Sequence, residues 1–222
     1  MFADLSQALE MSGLLLRGGF SPEASDSVPL TPDGREVRTL VLVGNAGPAM
    51  WSRFSQEKPD GSDSLDSWCE IQLTKIAERF GAHVIFPFQK PYFPFQRWLM
   101  RAEPCYASPL GILIHPRYGL WHAVRGALLF TQHIELGEMP TERNPCEICA
   151  DKPCLSTCPV TAFSNTGYDV PRCVVHLRSP SGDDCMALGC RARRACPVGM
   201  FFRDAPGQAA FHMAAFLAAF GG

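Results

Sequence analysis

Apolar residues in the N-terminal part of the chain switch between helical and strand-like spacing, and each switch marks an element. Leu5, Ala8, Leu9, Leu14 and Leu16 fall near helical spacing, which predicts an amphipathic helix over residues 3–16. Residues 21–35 are rich in Ser, Pro, Asp and Gly and predict a loop. The continuous run TLVLVGNAG, residues 39–47, predicts a buried strand ended by glycine, followed by a short helix over residues 48–54. The longest predicted helix covers residues 63–80, starting near Ser62 or Asp63, with Leu65, Trp68, Ile71, Leu73, Ile76 and Phe80 among its apolar positions. Residues 83–88 predict a second short strand, residues 89–94 a proline-bounded turn and residues 95–102 a short helix. Residues 110–115 and 120–131 read as two strands joined, as in a hairpin, by the turn Pro116-Arg117-Tyr118-Gly119.

The pattern changes near residues 137–144. Nearly all strand-like runs precede that point, and most cysteines follow it. Irregular alternation of strands and helices predicts an α+β fold, with an α/β sandwich as the first domain over residues 1–137. Residues 138–204 form a cysteine module, expected to start a short helix after each Cys-Pro. Residues 205–222 carry a helix, over 206–220, rich in Ala and Phe. It is expected to pack back on the N-terminal domain; the rarer use of such a helix is a dimer contact. CPVTAF and CPVGMFF are the one internal echo.

Composition narrows the class. A chain of 222 residues with 46% apolar and 19% charged residues is that of a globular protein of one or two domains. A net charge of −2 gives no support for a nucleic-acid or anionic-membrane partner. The longest apolar runs fall short of the ~20 residues a membrane span needs. The start MFADLSQALEMSGLLLRGG lacks the basic, then apolar, form of a secretory signal, so the expectation is a cytoplasmic protein with reduced thiols.

The cysteines carry the chemistry. Eight of the ten lie between Cys146 and Cys196, in two runs that each end in Cys-Pro. The first is Cys146-x2-Cys149-x4-Cys154-x3-Cys158-Pro159; the second is Cys185-x4-Cys190-x5-Cys196-Pro197, with Cys173 between them. Eight thiolates suit two [4Fe–4S] clusters, and in two-cluster ferredoxins the cysteine before proline ligates the other cluster. Zinc usually pairs two Cys-x2-Cys knuckles, and only Cys146 and Cys149 make one here. A disulfide framework would need an oxidising compartment. Cys69 and Cys105 stand apart and read as buried, inert thiols.

HPRYGLWHAVRGALL, residues 115–129, resembles a segment of the cobalamin-processing protein of the type C methylmalonic aciduria family and is similar to the Gly-Ser-Trp strand of epoxyqueuosine reductases. The cysteine module and RCVVHL, residues 172–177, also resemble epoxyqueuosine reductases, and corrinoid-dependent reductive dehalogenases share this architecture. The resemblance implies a nitroreductase-like α/β sandwich followed by a bacterial ferredoxin-like two-cluster module. It implies that Cys146, Cys149, Cys154 and Cys196 hold one cluster, and Cys158, Cys173, Cys185 and Cys190 the other. Three departures stand out. Four residues lie between Cys149 and Cys154 where the family usually has two, so residues 150–153 must bulge. Residues 92–98 contain no carboxylate to serve as the proton donor that epoxide reduction requires, which argues against that reaction. The chain also stops at Gly222, without the helical-repeat C-terminus expected of a tRNA-binding relative.

Among the remaining residues, His115, Arg117, Tyr118, Trp121 and Arg125 are candidates for a corrinoid or flavin site. In a strand over 120–130, Trp121 and Arg125 share a face, as a cofactor edge or as core and salt bridge. A cavity at the domain junction, between this strand and residues 92–98, is the expected pocket. The aromatic run Phe86, Phe88, Tyr92, Phe93, Phe95 and Trp98 reads as core or as a pocket-lining loop. Arg191, Arg193 and Arg194 would offset cluster charge, guide an acidic donor, or form a solvated turn.

The function these readings favour is an iron–sulfur oxidoreductase. It would take electrons from a redox partner protein and pass them, one at a time, to a corrinoid or other small-molecule acceptor in the N-terminal pocket. The alternatives are a corrinoid-binding or trafficking protein and a plain ferredoxin-like electron carrier. Neither nucleic acid nor membrane is an expected partner, and the oligomeric state is open, a dimer included.

Overall fold

A computed structural model of the chain describes residues 2–57, 65–137, 139–164 and 167–221. In chain order it forms α1 (Phe2–Met11), β1 (Leu15–Phe20), β2 (Thr39–Ala46), α2 (Ala49–Glu57), α3 (Leu65–Phe80), β3 (His83–Ile85) and α4 (Phe95–Ala102). The short strands β4 (Tyr106–Ala107) and β5 (Leu113–Ile114) follow, then the long β6 (His122–Phe130). The cysteine-rich part comprises α5 (Pro145–Ile148), α6 (Pro153–Ser156), β7 (Phe163–Ser164), β8 (Gly167–Tyr168), α7 (Val170–Leu177), α8 (Asp183–Leu188), α9 (Arg191–Arg194) and α10 (Pro206–Phe220). Among the described residues, no helix is long and apolar enough to cross a membrane.

Two compact units result. The first is Met1–Pro104 with His122–Thr141; the second is Cys105–Trp121 with Glu142–Gly222.

The first unit is an antiparallel sheet in the order β1-β2-β6-β3, on which α1 to α4 pack. All of β2 is buried, which is why it reads as one apolar run with no polar face. The aromatic segment after β3 is mostly core here. Phe93 and Phe95 pack on Trp98 at 5.9 and 5.0 Å, and the Trp98 indole donates to the Asp26 carbonyl oxygen at 2.8 Å. Only Tyr92 stands well exposed.

Several expectations are corrected. The first helix ends at Met11 because Gly13 takes a left-handed conformation (φ +69°), and Leu15 and Leu16 enter β1. A side chain at Gly13 would also sit 2.6 Å from the Ala49 backbone. The strand from His83 stops at Ile85, just before the Phe86-Pro87 stretch, where proline offers no ladder N–H. The start of α3 near Ser62 or Asp63 lies outside the described residues.

The hairpin over 110–131 does not form. β5 pairs with β4, whereas β6 pairs along its length with β2 and also with β3. The 115–119 turn is closed on itself by a His115–Gly119 bridge. The first Cys-Pro starts no helix, whereas a short 3-10 helix follows the second. Pro159 leads through a turn with Thr161 at φ +51° into the β7–β8 pair, and Pro197 leads through Gly199 at φ +67° into a 3-10 turn, Met200–Phe202. Those left-handed residues interrupt helical geometry, and short helices α6 and α9 precede each Cys-Pro.

The second unit has its own core of Leu110, Ile114, Leu120, Phe163, Ala192 and Cys196, against which Cys146, Cys154, Cys158 and Cys190 pack. Helix α10 was expected on the N-terminal domain. It belongs instead to this unit, packed on α7 and α8, with Gln208 and Ala209 buried.

Candidate functional site

Eight cysteines of the second unit line two separate cavities. Cys146, Cys149, Cys154 and Cys196 surround the first, a tight space of about 20 Å³. Asn144 caps α5 by accepting the Cys146 N–H at 3.0 Å, with Pro145 at the first helical position. The extra residues between Cys149 and Cys154 are accommodated by Lys152 in the left-handed region (φ +38°), after which Pro153 starts α6 and presents Cys154. Cys196 arrives from the end of α9, its N–H donating to the Arg193 carbonyl at 3.2 Å.

Cys158, Cys173, Cys185 and Cys190 line the second cavity, of about 210 Å³. Cys158 accepts the Ala162 N–H at 3.3 Å. Cys173 is on α7, Cys185 on α8, and Cys190 just precedes α9. Phe163, Leu177, Met213 and Phe216 supply apolar wall. Cys158 thus sits with cysteines far along the chain and not with its neighbours Cys149 and Cys154.

The donor set fits a four-iron cluster at each place. All ten cysteines are free thiols. Burial pushes the Cys146, Cys154, Cys173, Cys190 and Cys196 thiols up, and neighbouring cysteines of the same set push in the same direction. Thiols crowded in this way become good ligands once a cationic group compensates their charge. Among the described residues, no three His, Cys, Asp or Glu side chains close on one point as ligands of a single ion do. The second cavity adds an orphaned atom: His176 is 7% exposed, and its buried Nε2 has no hydrogen-bond partner among the described residues. Tyr168 also lines this cavity, its hydroxyl hydrogen-bonded to the Cys173 sulfur.

Tyr168 and His176 were not singled out from sequence. His176 follows Cys173 by one helical turn, a spacing that was visible. Tyr168 sits in a two-residue strand and carries no such signal. Cys69 and Cys105 are buried as expected, and burial pushes the Cys69 thiol up to about 11.

The candidate cofactor residues are placed as follows. In the second unit, the His115 ring is buried and its Nδ1 accepts the Arg117 and Tyr118 N–H groups at 3.0 and 3.3 Å. Tyr118 stacks on His115 at 4.5 Å, and the Arg117 guanidinium lies over Tyr118. Trp121 lies under the Arg193 guanidinium at 4.4 Å. Arg125 is in the first unit, on β6, and donates to the Asn45 side chain at 2.8 Å. None of these residues lines either cysteine cavity. The arginines of the last run are engaged in the fold. Arg193 pairs with Asp204 at 2.7 Å and donates to the Leu120 carbonyl, while Arg191 and Arg194 both pair with Asp184.

No family model and no curated protein matches the sequence. Solved structures do match. A selenomethionine-labelled epoxyqueuosine reductase aligns at 13% identity and TM-score 0.56, over 94% of this chain and 68% of its own. The fold is that of the epoxyqueuosine reductases. The Streptococcus thermophilus epoxyqueuosine reductase aligns at 11% identity and TM-score 0.54, over 100% of this chain and 75% of its own. An epoxyqueuosine reductase solved with an epoxyqueuosine-modified tRNA stem loop aligns at 12% and 0.53, over 91% of this chain and 66% of its own. The chain therefore spans about two thirds to three quarters of the epoxyqueuosine reductases it matches.

Proposed function

We propose that this protein is an iron–sulfur oxidoreductase with two [4Fe–4S] clusters, which delivers single electrons to an acceptor bound by its N-terminal unit. The observation that carries this reading is the sorting of eight cysteines into two cavities of four, with Cys158 and Cys196 exchanged between the runs. When bound, each cluster would supply a one-electron redox centre. Cys146, Cys149, Cys154 and Cys196 would hold one, and Cys158, Cys173, Cys185 and Cys190 the other. The surrounding chain would fix the thiols through the Asn144 cap, the Lys152 bulge and the Ala162 N–H, and Phe163, Leu177, Met213 and Phe216 give the second site an apolar wall. The epoxyqueuosine reductase fold supports a redox role. Similarity of residues 115–129 to cobalamin-processing relatives favours a corrinoid as the acceptor class.

Anaerobic purification tests the reading first. The protein should carry about eight iron and eight sulfide per chain. Zinc in place of iron would refute it. Hydroxocobalamin and flavin mononucleotide titrations then test the acceptor. A spectral shift with hydroxocobalamin supports the corrinoid, and no shift with either leaves a plain electron carrier. Binding of a tRNA stem loop at low salt would replace the small-molecule acceptor with a nucleic-acid partner like the one in the neighbour's structure.

A further inference from the structure

The two candidate cluster sites differ in the side-chain hydrogen-bond donors around them. Tyr168 pairs with Phe163 across the β7–β8 ladder and stacks on its ring at 4.5 Å and 13°. Phe216 of α10 packs on Tyr168 at 6.2 Å. The phenol is thereby held in the cavity wall with its hydroxyl on Cys173. His176 lies three residues beyond Cys173 on the same helix and lines the same cavity. Its Nδ1 is 3.4 Å from the Ser181 hydroxyl, while its buried Nε2 lacks a partner among the described residues. A ring nitrogen buried without a partner is costly unless something absent completes it. In this cavity the sulfur of a bound cluster is an acceptor of the right kind.

Among the described residues, the first site has no counterpart to Tyr168 and His176. Its wall includes Pro109, Pro145, Pro153 and Pro197, which have no N–H to give. Among the described residues of that wall Lys152 is the only side-chain donor; it is exposed, as is Arg203 near Cys196, so solvent and salt screen both charges. Backbone donors do not separate the sites. Leu155 and Val198 serve Cys154 and Cys196, while Ala162 and Ala192 serve Cys158 and Cys190. Arg191 and Arg193 line the second cavity, but Asp184 and Asp204 balance them.

We infer that Tyr168 and His176 are positioning residues that donate hydrogen bonds to the cluster of Cys158, Cys173, Cys185 and Cys190 and make it the higher-potential of the two. The inference rests on the two-cluster reading. Reduction adds one electron to a cluster, taken from a donor that loses one, with no bond made or broken. Donors aimed at the sulfurs stabilise the added negative charge and raise the potential. An electron entering at the first site would then run downhill to the second.

The test is an anaerobic redox titration with dithionite as reductant, followed by electron paramagnetic resonance, on wild type, Tyr168→Phe and His176→Leu. Cys149→Ala, which removes a ligand of the first cluster, assigns the signals. Wild type should show two potentials, with the higher one retained in Cys149→Ala. Each of the other two variants should lower that potential by about tenfold in the one-electron equilibrium, about 59 mV, and leave the lower one in place. Retention of the lower potential in Cys149→Ala overturns the inference, as does a full iron count with neither potential moved. If Tyr168→Phe loses its cluster, His176→Leu and the wild-type assignment decide. A wild-type preparation without iron and sulfide overturns the two-cluster reading itself, and is seen before any titration begins.

Discussion

The two cysteine sites use the same four-thiol set in opposite settings. Three cysteines of the first lie within nine residues, Cys146 to Cys154, and local devices close it: prolines, an Asn cap and one left-handed lysine. The second gathers its cysteines from Cys158 to Cys190, across α7, α8 and the start of α9, and relies on α10 for part of its wall. Loop geometry therefore shapes the first site and helix packing the second. The first should respond to changes in backbone conformation, the second to changes in packing.

Removing a crossed cysteine gives the largest contrast. Cys158→Ala should lower the iron content from about eight to about four per chain, and the cluster lost should be the one of Cys173, Cys185 and Cys190. Mössbauer or paramagnetic resonance spectra of Cys158→Ala and Cys196→Ala should then be complementary. Loss of the first cluster in Cys158→Ala would break the comparison.

A backbone change at the first site comes next. The turn at Tyr118–Gly119 presses against Val198–Gly199, and a Cβ on Gly119 would lie 2.0 Å from the Val198 carbonyl oxygen, with φ at +59°. Gly119→Ala should cost about 2–3 kcal/mol, read from urea unfolding. Val198 borders the first cavity, so its cluster should bleach before the second. Equal bleaching would show that loop geometry is not specific to that site.

Phe216→Ala probes the second setting. The ring is half-buried against Tyr168, and its loss should cost about 1–2 kcal/mol. Here the second cluster should become the more sensitive to air, with the first unchanged.

The smallest effect is electrostatic. The Arg191 hydrogen bond, with Arg194 alongside, holds the Asp184 carboxyl below its usual 3.8. A depressed carboxylate contributes stability above the unfolded value, and that stability is lost as pH falls through the lower folded value. Both partners are partly exposed, so Asp184→Asn should lower the Tm by only about 1–2 °C at pH 7. The gap to wild type should close as pH drops below 3.8. A gap that persists in acid would assign the effect to packing beside Cys185.

Much of this was legible in the sequence for physical reasons. Cys69 and Cys105 stand apart from the cysteine runs and read as buried thiols, and both are buried. β2 and α4 were plain from apolar runs and helical spacing. Other features depend on distant partners. β1 was hidden because Leu14 and Leu16 continue the helical spacing of α1, and only the conformation of Gly13 breaks it. The supposed hairpin failed because β6 finds β2 and β3, which sequence spacing does not announce. α10 is apolar nearly all round, so its pattern names no face and no packing partner. The Tyr168 contact with Cys173 arises from a two-residue strand, too short for any periodicity.

The most direct measurement is an anaerobic crystal structure with anomalous data at the iron edge. The account predicts two four-iron peaks in the second unit, one bonded to Cys146, Cys149, Cys154 and Cys196, the other to Cys158, Cys173, Cys185 and Cys190. A single metal ion in either place, or Cys158 bonded to the same cluster as Cys146, Cys149 and Cys154, would contradict it.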